Sequence, residues 1–412
     1  MSIEDIILRP PAAEEFPDLW RSLTDVFGDA LHDSDRDIEQ TVFEPERFLI
    51  ALDGEEIVGT GGIFTREVTI PGAVVPVAGV TYISVAPTHR RRGLLTRIMQ
   101  RQLTELHEQG AEPVAALWAS EGAIYGRFGY GHAAPRAIYT GHTRDLAFRA
   151  GVDLGTGRVR RLPEDKARPH IQTVYDAVRH TTLGHLDRTE AWWDYRHYDP
   201  EHHRDGATAL RFVVHEEADG QVTGWTAYRV KAEWERNGPN GMVQILDLSA
   251  THPAAYAALW RFLLDLDLVR QMRRRMGPVD EPLRHLLANP PALTTEIGDG
   301  LWIRLVDLDR ALAARRYPTD IDVVLDVTDR LCPWNAGRWR LTGGSDGASC
   351  EPTTDAADLA LSATELGAAY LGGTRLTALA AAGWVRELTP GAVHRVSTAF
   401  GWPTAPWCTE VF

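Results

Sequence analysis

Short apolar runs and helix-period segments alternate over the first 140 residues of the chain. The runs predict strands at residues 47–52, 56–64, 74–85 and 114–120. A helix is predicted from Gly93 to Gly110, because apolar residues at 94, 95, 98, 99, 103 and 106 fall on one helical stripe. A short glycine-punctuated helix at 121–126 and a pair of strands through 127–142 follow. This order predicts an α/β domain with parallel strands at its centre.

The turn that joins the strand ending at Val85 to this helix is strongly basic. Arg90, Arg91 and Arg92 precede Gly93 directly. A cation at a helix N-terminus costs roughly 0.3–1 kcal/mol, because the helix dipole already places positive charge there, unless an anion binds in front of it. Such a run on a surface turn can also simply be solvated. The strand–turn–helix context favours a phosphate cradle of backbone N–H groups and guanidinium groups.

The same strand–turn–helix pattern returns at residues 242–260, where Thr251 and His252 take the places of Thr88 and His89. The basic trio is replaced there by Pro-Ala-Ala, so a second copy without a phosphate site is predicted; a chance likeness is the alternative. A third unit has strand-like runs at 301–307, 321–327 and 337–341 and helical stretches at 362–371 and 375–382, an order that resembles the sterol-carrier-protein-like fold. The predicted units are residues 1–148, 149–295 and 296–412.

Composition narrows the class of protein and its partners. The 412 residues are 44% hydrophobic and 24% charged, as in globular proteins. A net charge of −14 argues against nucleic acid or an anionic membrane as partner. Acids near the N-terminus and the lack of a membrane-length apolar run predict a bacterial cytoplasmic protein. The three cysteines Cys332, Cys350 and Cys408 have the spacing of neither a zinc site nor a disulfide framework. The histidines His197, His202 and His203 have no ligand spacing with nearby acids, so no metal is predicted.

Two motifs carry a resemblance to a known family. They are Val85-Ala-Pro-Thr-His-Arg-Arg-Arg-Gly-Leu-Leu95 and Ala119-Ser-Glu-Gly-Ala-Ile-Tyr-Gly-Arg-Phe-Gly-Tyr-Gly131. With the repeated unit and the carrier-like tail, the chain resembles the enhanced-intracellular-survival (Eis) family of the GNAT acetyltransferases, although Leu95 stands where GNAT proteins prefer Gly or Ala. The resemblance implies an α/β (α+β) fold of tandem GNAT-like domains, the second degenerate, and a sterol-carrier-protein-like domain. It also implies a homohexamer that acetylates amines, notably aminoglycosides, often at several positions, with acetyl-coenzyme A.

The resemblance also implies which residues contact acetyl-coenzyme A. In the superfamily the strands ending near Val85 and Ser120 splay apart, and the pantetheine arm pairs with the exposed strand edge. Ser120 and Glu121 can equally form an ordinary helix cap, and the two roles are compatible. The implied contacts are Ile83, Ser84, Val85, Arg90, Arg91, Arg92, Gly93, Leu94, Leu95, Thr96, Ser120 and Glu121.

Two catalytic groups follow from the resemblance. Tyr125 matches the tyrosine that donates a proton to the departing thiolate, and Tyr130 ranks second. A phenol with a pKa near ~10 suits a thiol near ~8.5. The base in the family is the carboxylate of an aromatic last residue, here Phe412. The apolar tail from Trp402 onward supports an end held in a pocket rather than a free one.

Substrate contacts are implied only by weaker matches. Asp25 matches an acid of the family's amine pocket, but its expected aromatic neighbour is Leu23 here. The acid expected beside the last residue is displaced to Glu410. Acids between 25 and 39 could attract polycations or simply form a solvated face. A protein-lysine acetyltransferase and a non-catalytic acyl-coenzyme A or lipid binder are the alternative functions.

Overall fold

A computed structural model describes residues 5–412 of the chain. Its strands are β1 Ile7–Arg9, β2 Leu49–Asp53, β3 Glu56–Ile70, β4 Ala73–Val85, β5 Val114–Trp118, β6 Gly131–His142, β7 Arg158–Leu162, β8 Arg211–Glu216, β9 Val222–Lys231, β10 Trp234–Glu235, β11 Gly238–Pro239, β12 Gly241–Ala250, β13 Val269–Gly277, β14 Thr294–Leu305, β15 Ile321–Thr328, β16 Gly337–Gly343, β17 Ala348–Pro352, β18 Leu359–Ser362 and β19 Arg386–Glu387. Its helices are α1 Phe16–Phe27, α2 Asp33–Gln40, α3 Leu94–Gln109, α4 Gly122–Tyr125, α5 Glu164–Arg179, α6 Glu190–His197, α7 Pro253–Leu264, α8 Leu283–Leu286, α9 Leu308–Ala314, α10 Ala363–Ala369, α11 Leu376–Ala381 and α12 Ala392–Phe400.

Twelve strands form one continuous sheet in the order β1-β2-β3-β4-β5-β14-β6-β13-β12-β9-β8-β7. The predicted strands β2 to β5 and the predicted helix α3 are confirmed, and β4 and β5 are parallel as expected. The predicted strand pair over 127–142 is wrong, because residues 131–142 form the single strand β6. Pro135 marks no turn there. It lies opposite the irregular pairing between Gly298 and Leu301 of β14.

Strand β14 joins the two halves of this sheet. It pairs antiparallel with β5 on one side and with β6 on the other, and β6 continues onto β13. A strand from late in the chain therefore completes the sheet of the first unit. Residue 296, where the sequence places the start of the third unit, lies inside β14, and the division of the chain at 148 and 295 remains a prediction.

The second unit keeps the predicted strand–turn–helix order. Strand β12 leads into helix α7, and β13 then pairs parallel with β12. His252 caps α7, because its Nδ1 accepts a hydrogen bond from the backbone N–H of Ala255 at 3.3 Å. This helix N-terminus is thus satisfied by a side chain of the protein itself, in line with a lost phosphate site.

The third unit is a five-stranded sheet in the order β17-β16-β15-β18-β19 with helices packed on it. Helix α10 lies directly on β6 and β14, and two glycines allow this approach. A Cβ on Gly131 would stand 2.1 Å from the Thr364 oxygen, and one on Gly367 would stand 2.2 Å from the Ile303 oxygen. The third unit is therefore packed tightly against the large sheet.

None of the helices within residues 5–412 has the length and apolar character needed to cross a membrane. The three cysteines of the chain are buried and unbonded to one another.

Candidate active site

A cleft opens where β4 and β5 stop pairing. The two strands are hydrogen-bonded only from Val77 to Gly79 and from Val114 to Ala116, and their later residues diverge. The cleft has a volume of about 890 Å³. Tyr82 and Ile83 of β4 bulge opposite a single residue of β3, and Tyr82 has a φ of +54°. This bulge and the missing partner strand leave an exposed stretch of β4 backbone facing the cleft.

The basic turn lies at one end of this exposed stretch. Arg91 and Gly93 have φ values of +63° and +90°, so the backbone turns sharply into α3. Gly93 is the N-cap and offers no capping side chain, so the first-turn N–H groups of α3 remain available to an anion. His89 holds the turn from below through its Nε2, 3.0 Å from Asp53 Oδ2. Such a turn could hold the diphosphate of a coenzyme.

The residues implied for the coenzyme contribute in different ways. Ile83 and Ser120 line the cleft, and Arg90 and Arg91 are exposed beside it. The Ser84 hydroxyl is buried and bonds to Thr60 Oγ1 at 2.7 Å, so only its backbone can serve a ligand. The remaining implied coenzyme contacts differ in exposure. Gly93, Thr96 and Glu121 are exposed, Val85, Arg92 and Leu95 are half-buried, and Leu94 is buried. Glu121 is the N-cap of α4 but makes no side-chain capping bond.

Tyr125 lies at the end of α4 and lines the cleft, although its side chain is only 4% exposed. Burial raises the pKa of its phenol above the ordinary value, and a hydrogen bond with the Ser120 hydroxyl opposes that rise. The phenol is therefore protonated at neutral pH and can act as an acid. Tyr130 is fully buried behind it, edge to face at 6.2 Å, and is absent from the cleft lining.

Phe412 lines the same cleft. Its ring packs on Gly79, where a Cβ would stand 3.2 Å from Phe412 Cε2. Gly79 is the last residue of β4 that pairs with β5, so the end of the chain sits at the point where the strands separate. The structure thus places Tyr125 and Phe412 in the lining of one cleft.

Glu410 anchors this end of the chain instead of lining the cleft. It is 1% exposed, and its carboxylate lies 2.9 Å from Arg66 and 2.5 Å from Arg188. Burial alone would raise the pKa of Glu410, but these two guanidinium groups lower that pKa to about 2. Arg188 also bonds to Asp247 of β12 at 3.0 Å. The tail is therefore fixed by charges from β3, from the segment before α6 and from β12.

The acids that line the cleft differ from the one expected. Asp25 is exposed on α1 and is not part of the lining, whereas Asp29, Asp35 and Glu39 are. Glu39 accepts hydrogen bonds from the phenols of Tyr82 and Tyr195, the latter at 3.0 Å. Burial raises the pKa of Glu39. No spacing in the sequence indicated that Glu39, Tyr82 and Tyr195 meet.

His202 and His203, which showed no ligand spacing with nearby acids, both lie beside Asp35. Their Nε2 atoms are 2.9 and 3.3 Å from the Asp35 carboxylate, and Tyr198 donates to the same group at 2.7 Å. A carboxylate and two imidazoles so close could hold a metal ion. His202 is hydrogen-bonded to this carboxylate without any metal, and the absence of a metal stays a prediction.

Comparisons with known proteins agree with this geometry. Models of the acetyltransferase (GNAT) domain match residues 8–133 and 184–305, and a sterol carrier protein domain model matches residues 308–409. An uncharacterized N-acetyltransferase of Streptomyces avermitilis is 46% identical over 96% of this chain and 97% of its own. N-acetyltransferase Eis of Mycobacterium tuberculosis is 33% identical over 96% of both chains.

The likeness extends to solved structures. Eis1 from Mycobacterium abscessus superposes with a TM-score of 0.85 at 32% identity, covering 98% of this chain and 100% of that one. A GCN5-related N-acetyltransferase from Anabaena variabilis shows the same fold, with a TM-score of 0.85 at 21% identity over 99% and 100% of the two chains. With two GNAT domains, a sterol-carrier-like domain and relatives matched along almost its whole length, the chain belongs to the Eis-type N-acetyltransferases of the GNAT superfamily.

Proposed function

We propose that this enzyme transfers the acetyl group of acetyl-coenzyme A to amines of cationic small molecules, aminoglycosides among them, and acetylates more than one amine of such a molecule. The observation that carries the proposal is the meeting of Tyr125 and Phe412 in the cleft between β4 and β5. A proton donor and a carboxylate in one cleft are what an amine and a thioester need in order to react.

The coenzyme side is supported by the turn before α3 and by the exposed edge of β4. Arg90, Arg91 and the first N–H groups of α3 would hold the diphosphate. The unpaired β4 backbone near Ile83 would pair with the pantetheine arm as an added strand. Acetyl-coenzyme A would supply the activated thioester. The bulge at Tyr82 would aim a backbone N–H at the carbonyl oxygen, which gains negative charge during the reaction.

The chemical step requires two proton transfers. The amine nitrogen, once it has lost a proton to the Phe412 carboxylate directly or through a water, attacks the carbonyl carbon, and a C–N bond forms. The C–S bond then breaks, and the Tyr125 hydroxyl gives its proton to the departing sulfur. As the amide forms, the nitrogen loses its second proton, which restores the tyrosinate, and the proton first taken by Phe412 passes to solvent. The net products from an ammonium acceptor are therefore an amide, the free thiol and one proton. Burial, which raises the pKa of Tyr125, keeps this acid loaded at neutral pH.

The acceptor side is supported by the acids that line the cleft. Asp29, Asp35 and Glu39 face the space next to Phe412 and favour a cationic acceptor. We assign acceptor binding to these three acids in preference to Asp25 and Glu410. Glu410 is already neutralised by Arg66 and Arg188 and would act by positioning the tail.

The test is release of free thiol from acetyl-coenzyme A by the purified enzyme with aminoglycosides, polyamines and lysine peptides in turn. Turnover on an aminoglycoside that falls at least 100-fold in both Tyr125→Phe and a Phe412 deletion supports the proposal. An extension by one glycine after Phe412 is the matched control, because it keeps the ring and moves only the carboxylate. Turnover confined to lysine peptides would mean that the acceptor is a protein lysine and not a cationic small molecule. Coenzyme binding without turnover on any amine would support the alternative of a non-catalytic acyl-coenzyme A binder.

We extend the proposal to a homohexamer in the bacterial cytoplasm, as in the family that the sequence resembles. Light scattering on the purified protein tests the assembly. A mass other than six chains would overturn that part and leave the chemistry untouched.

A further inference from the structure

A second cleft lies in the second GNAT domain, at the place that corresponds to the candidate active site. Strands β12 and β13 pair in parallel only as far as Ile245 and Arg274, and their later residues diverge. A cavity of about 430 Å³ opens there, lined by residues 244–247 of β12 and by Arg273, Arg275 and Met276 of β13. The phosphate turn of this domain has been lost, but the opening between its two central strands has been kept.

The lining of this second cleft is dominated by arginine. Arg196 and His197 of α6 and the tail residues Thr409 and Val411 also belong to the lining. Two acids, Asp205 and Asp247, face seven guanidinium groups. The arginines of the lining are Arg136, Arg188, Arg196, Arg204, Arg229, Arg273 and Arg275.

Three of these arginines are neutralised by carboxylates of the protein. Arg188 pairs with Asp247 and Glu410, while Arg204 and Arg229 share Asp199. The remaining acid of the lining, Asp205, pairs with Lys231 outside the set. These contacts leave a second group of four arginines, which we call the open arginines: Arg136, Arg196, Arg273 and Arg275.

Within residues 5–412 no carboxylate lies at ion-pair distance from any of the four open arginines. The Nε of Arg136 is buried without a hydrogen-bond partner in that part of the chain. Four arginines without an ion-pair partner around one small concave space repel one another, and an anion bound among them would relieve that repulsion. They are all the more unusual in a chain whose net charge is −14.

The sheet register arranges these groups on one surface. Gln244 of β12 pairs with Arg229 of β9 on one side and with Arg273 of β13 on the other, so the three side chains form a row across the sheet. Arg275 stands two residues after Arg273 and therefore projects from the same face. A planar guanidinium offers paired N–H donors that match a carboxylate or phosphate.

We propose that this second cleft binds the carboxylate or phosphate group of a small molecule through the open arginines. The site adjoins the candidate active site, because Arg136, His203 and Val411 line both clefts. The bound group thus lies beside the tail that carries Phe412. Two sources supply such a group: a separate anionic effector, or an anionic end of the amine acceptor itself. The second source rests on the proposed function, whereas anion binding does not.

The binding test uses the full chain and two probes, glutarate and inorganic phosphate, in calorimetric titrations. Saturating coenzyme A is present so that the turn before α3 is occupied. The double variant Arg273→Gln/Arg275→Gln is compared with Arg144→Gln/Arg149→Gln, which removes two exposed arginines near the predicted boundary at residue 148 that lie outside the cleft. At least tenfold weaker binding in the first variant only, with unchanged melting temperature, supports the site. Equal binding in all three proteins, or no binding to native protein, overturns it.

A kinetic comparison separates the two sources. Acetylation of 4-aminobutyrate is measured beside that of its neutral amide. An anionic acceptor gives at least tenfold higher kcat/KM for the carboxylate, and Arg273→Gln/Arg275→Gln abolishes that preference. A separate effector instead gives a glutarate-dependent change in kcat/KM for the neutral amide of 4-aminobutyrate. That change is lost in the same variant. If titration shows binding but no amine is ever acetylated, the anion site stands and the proposed function falls.

Discussion

The ring of Phe412 lies on the backbone of Gly79, with 3.2 Å between Phe412 Cε2 and the position that a Cβ on Gly79 would take. A side chain at residue 79 must therefore push the ring, and with it the terminal carboxylate, out of place. We expect Gly79→Val to lower kcat at least tenfold and to leave KM for acetyl-coenzyme A within twofold. Steady-state kinetics check this, with Gly126→Ala as the control, because a Cβ at Gly126 meets no atom within 4 Å. An unimpaired Gly79→Val enzyme would argue against the carboxylate as base.

The two neighbouring tyrosines give opposite expectations. Tyr125→Phe removes the proton donor and should lower kcat about 100-fold, with KM for acetyl-coenzyme A unchanged. Tyr130→Phe removes a buried hydroxyl that has no hydrogen-bond partner within residues 5–412, so kcat should change less than twofold. Both variants are compared by thiol release at saturating substrate. Equal losses in the two variants would reject the assignment of Tyr125.

The buried carboxylate of Glu410 should contribute to stability in a pH-dependent way. Its folded-state pKa of about 2 lies below the ordinary value of 4.5, so its contribution is complete above pH 4.5 and is lost as the pH falls toward 2. This difference corresponds to roughly 3 kcal/mol. Glu410→Gln should therefore lower the melting temperature clearly at pH 7, and the gap from native protein should narrow below pH 4.5. Calorimetry measures both.

The control for that experiment is Glu105→Gln. It breaks a surface ion pair with Arg101, which is worth less than about 1 kcal/mol. A melting temperature for Glu410→Gln no lower than that of the control would contradict the anchoring role.

The turn before α3 should determine affinity for the coenzyme. Arg91→Gln removes an exposed guanidinium from the phosphate end of the cleft, and KM for acetyl-coenzyme A should rise about tenfold while kcat stays within twofold. Arg338→Gln, on β16 of the third unit, is the matched control. A rise in KM of the same size in both variants would mean a general charge effect and no phosphate contact.

Catalysis should not depend on a metal ion. Asp35 already accepts hydrogen bonds from Tyr198 and His202, and the proposed steps use only Tyr125 and Phe412. Dialysis against EDTA should leave kcat and KM unchanged. Activity that is lost on dialysis and restored by zinc would contradict this and would point to Asp35 with His202 and His203.

Local signals in the sequence were sufficient to predict the strand and the helix on either side of the turn before α3. Helix α3 begins after Gly93 and ends before Gly110, both with positive φ, and its apolar stripe faces the core. Such features depend on residues a few positions apart. The capped start of α7 and the strand–helix repeat follow from the same kind of local pattern.

The cleft itself could be predicted only in part. The resemblance indicated Tyr125 and Phe412, but the direction of a side chain from a helix depends on its exact phase. In α1 the residues Leu23, Thr24 and Phe27 face the cleft, and Asp25 therefore points away. Contacts such as Asp35 with His202 join segments 167 residues apart, and no local spacing encodes them.

The position of β14 between β5 and β6 also determines how the protein can fold and evolve. Until residue 305 has left the ribosome, both neighbours present unpaired strand edges, which are templates for wrong pairing between chains. A gene fragment ending at residue 148 would encode a sheet with these edges permanently open. The first GNAT domain therefore shares a strand with the chain that follows it, and we expect it to be unstable when it is expressed alone.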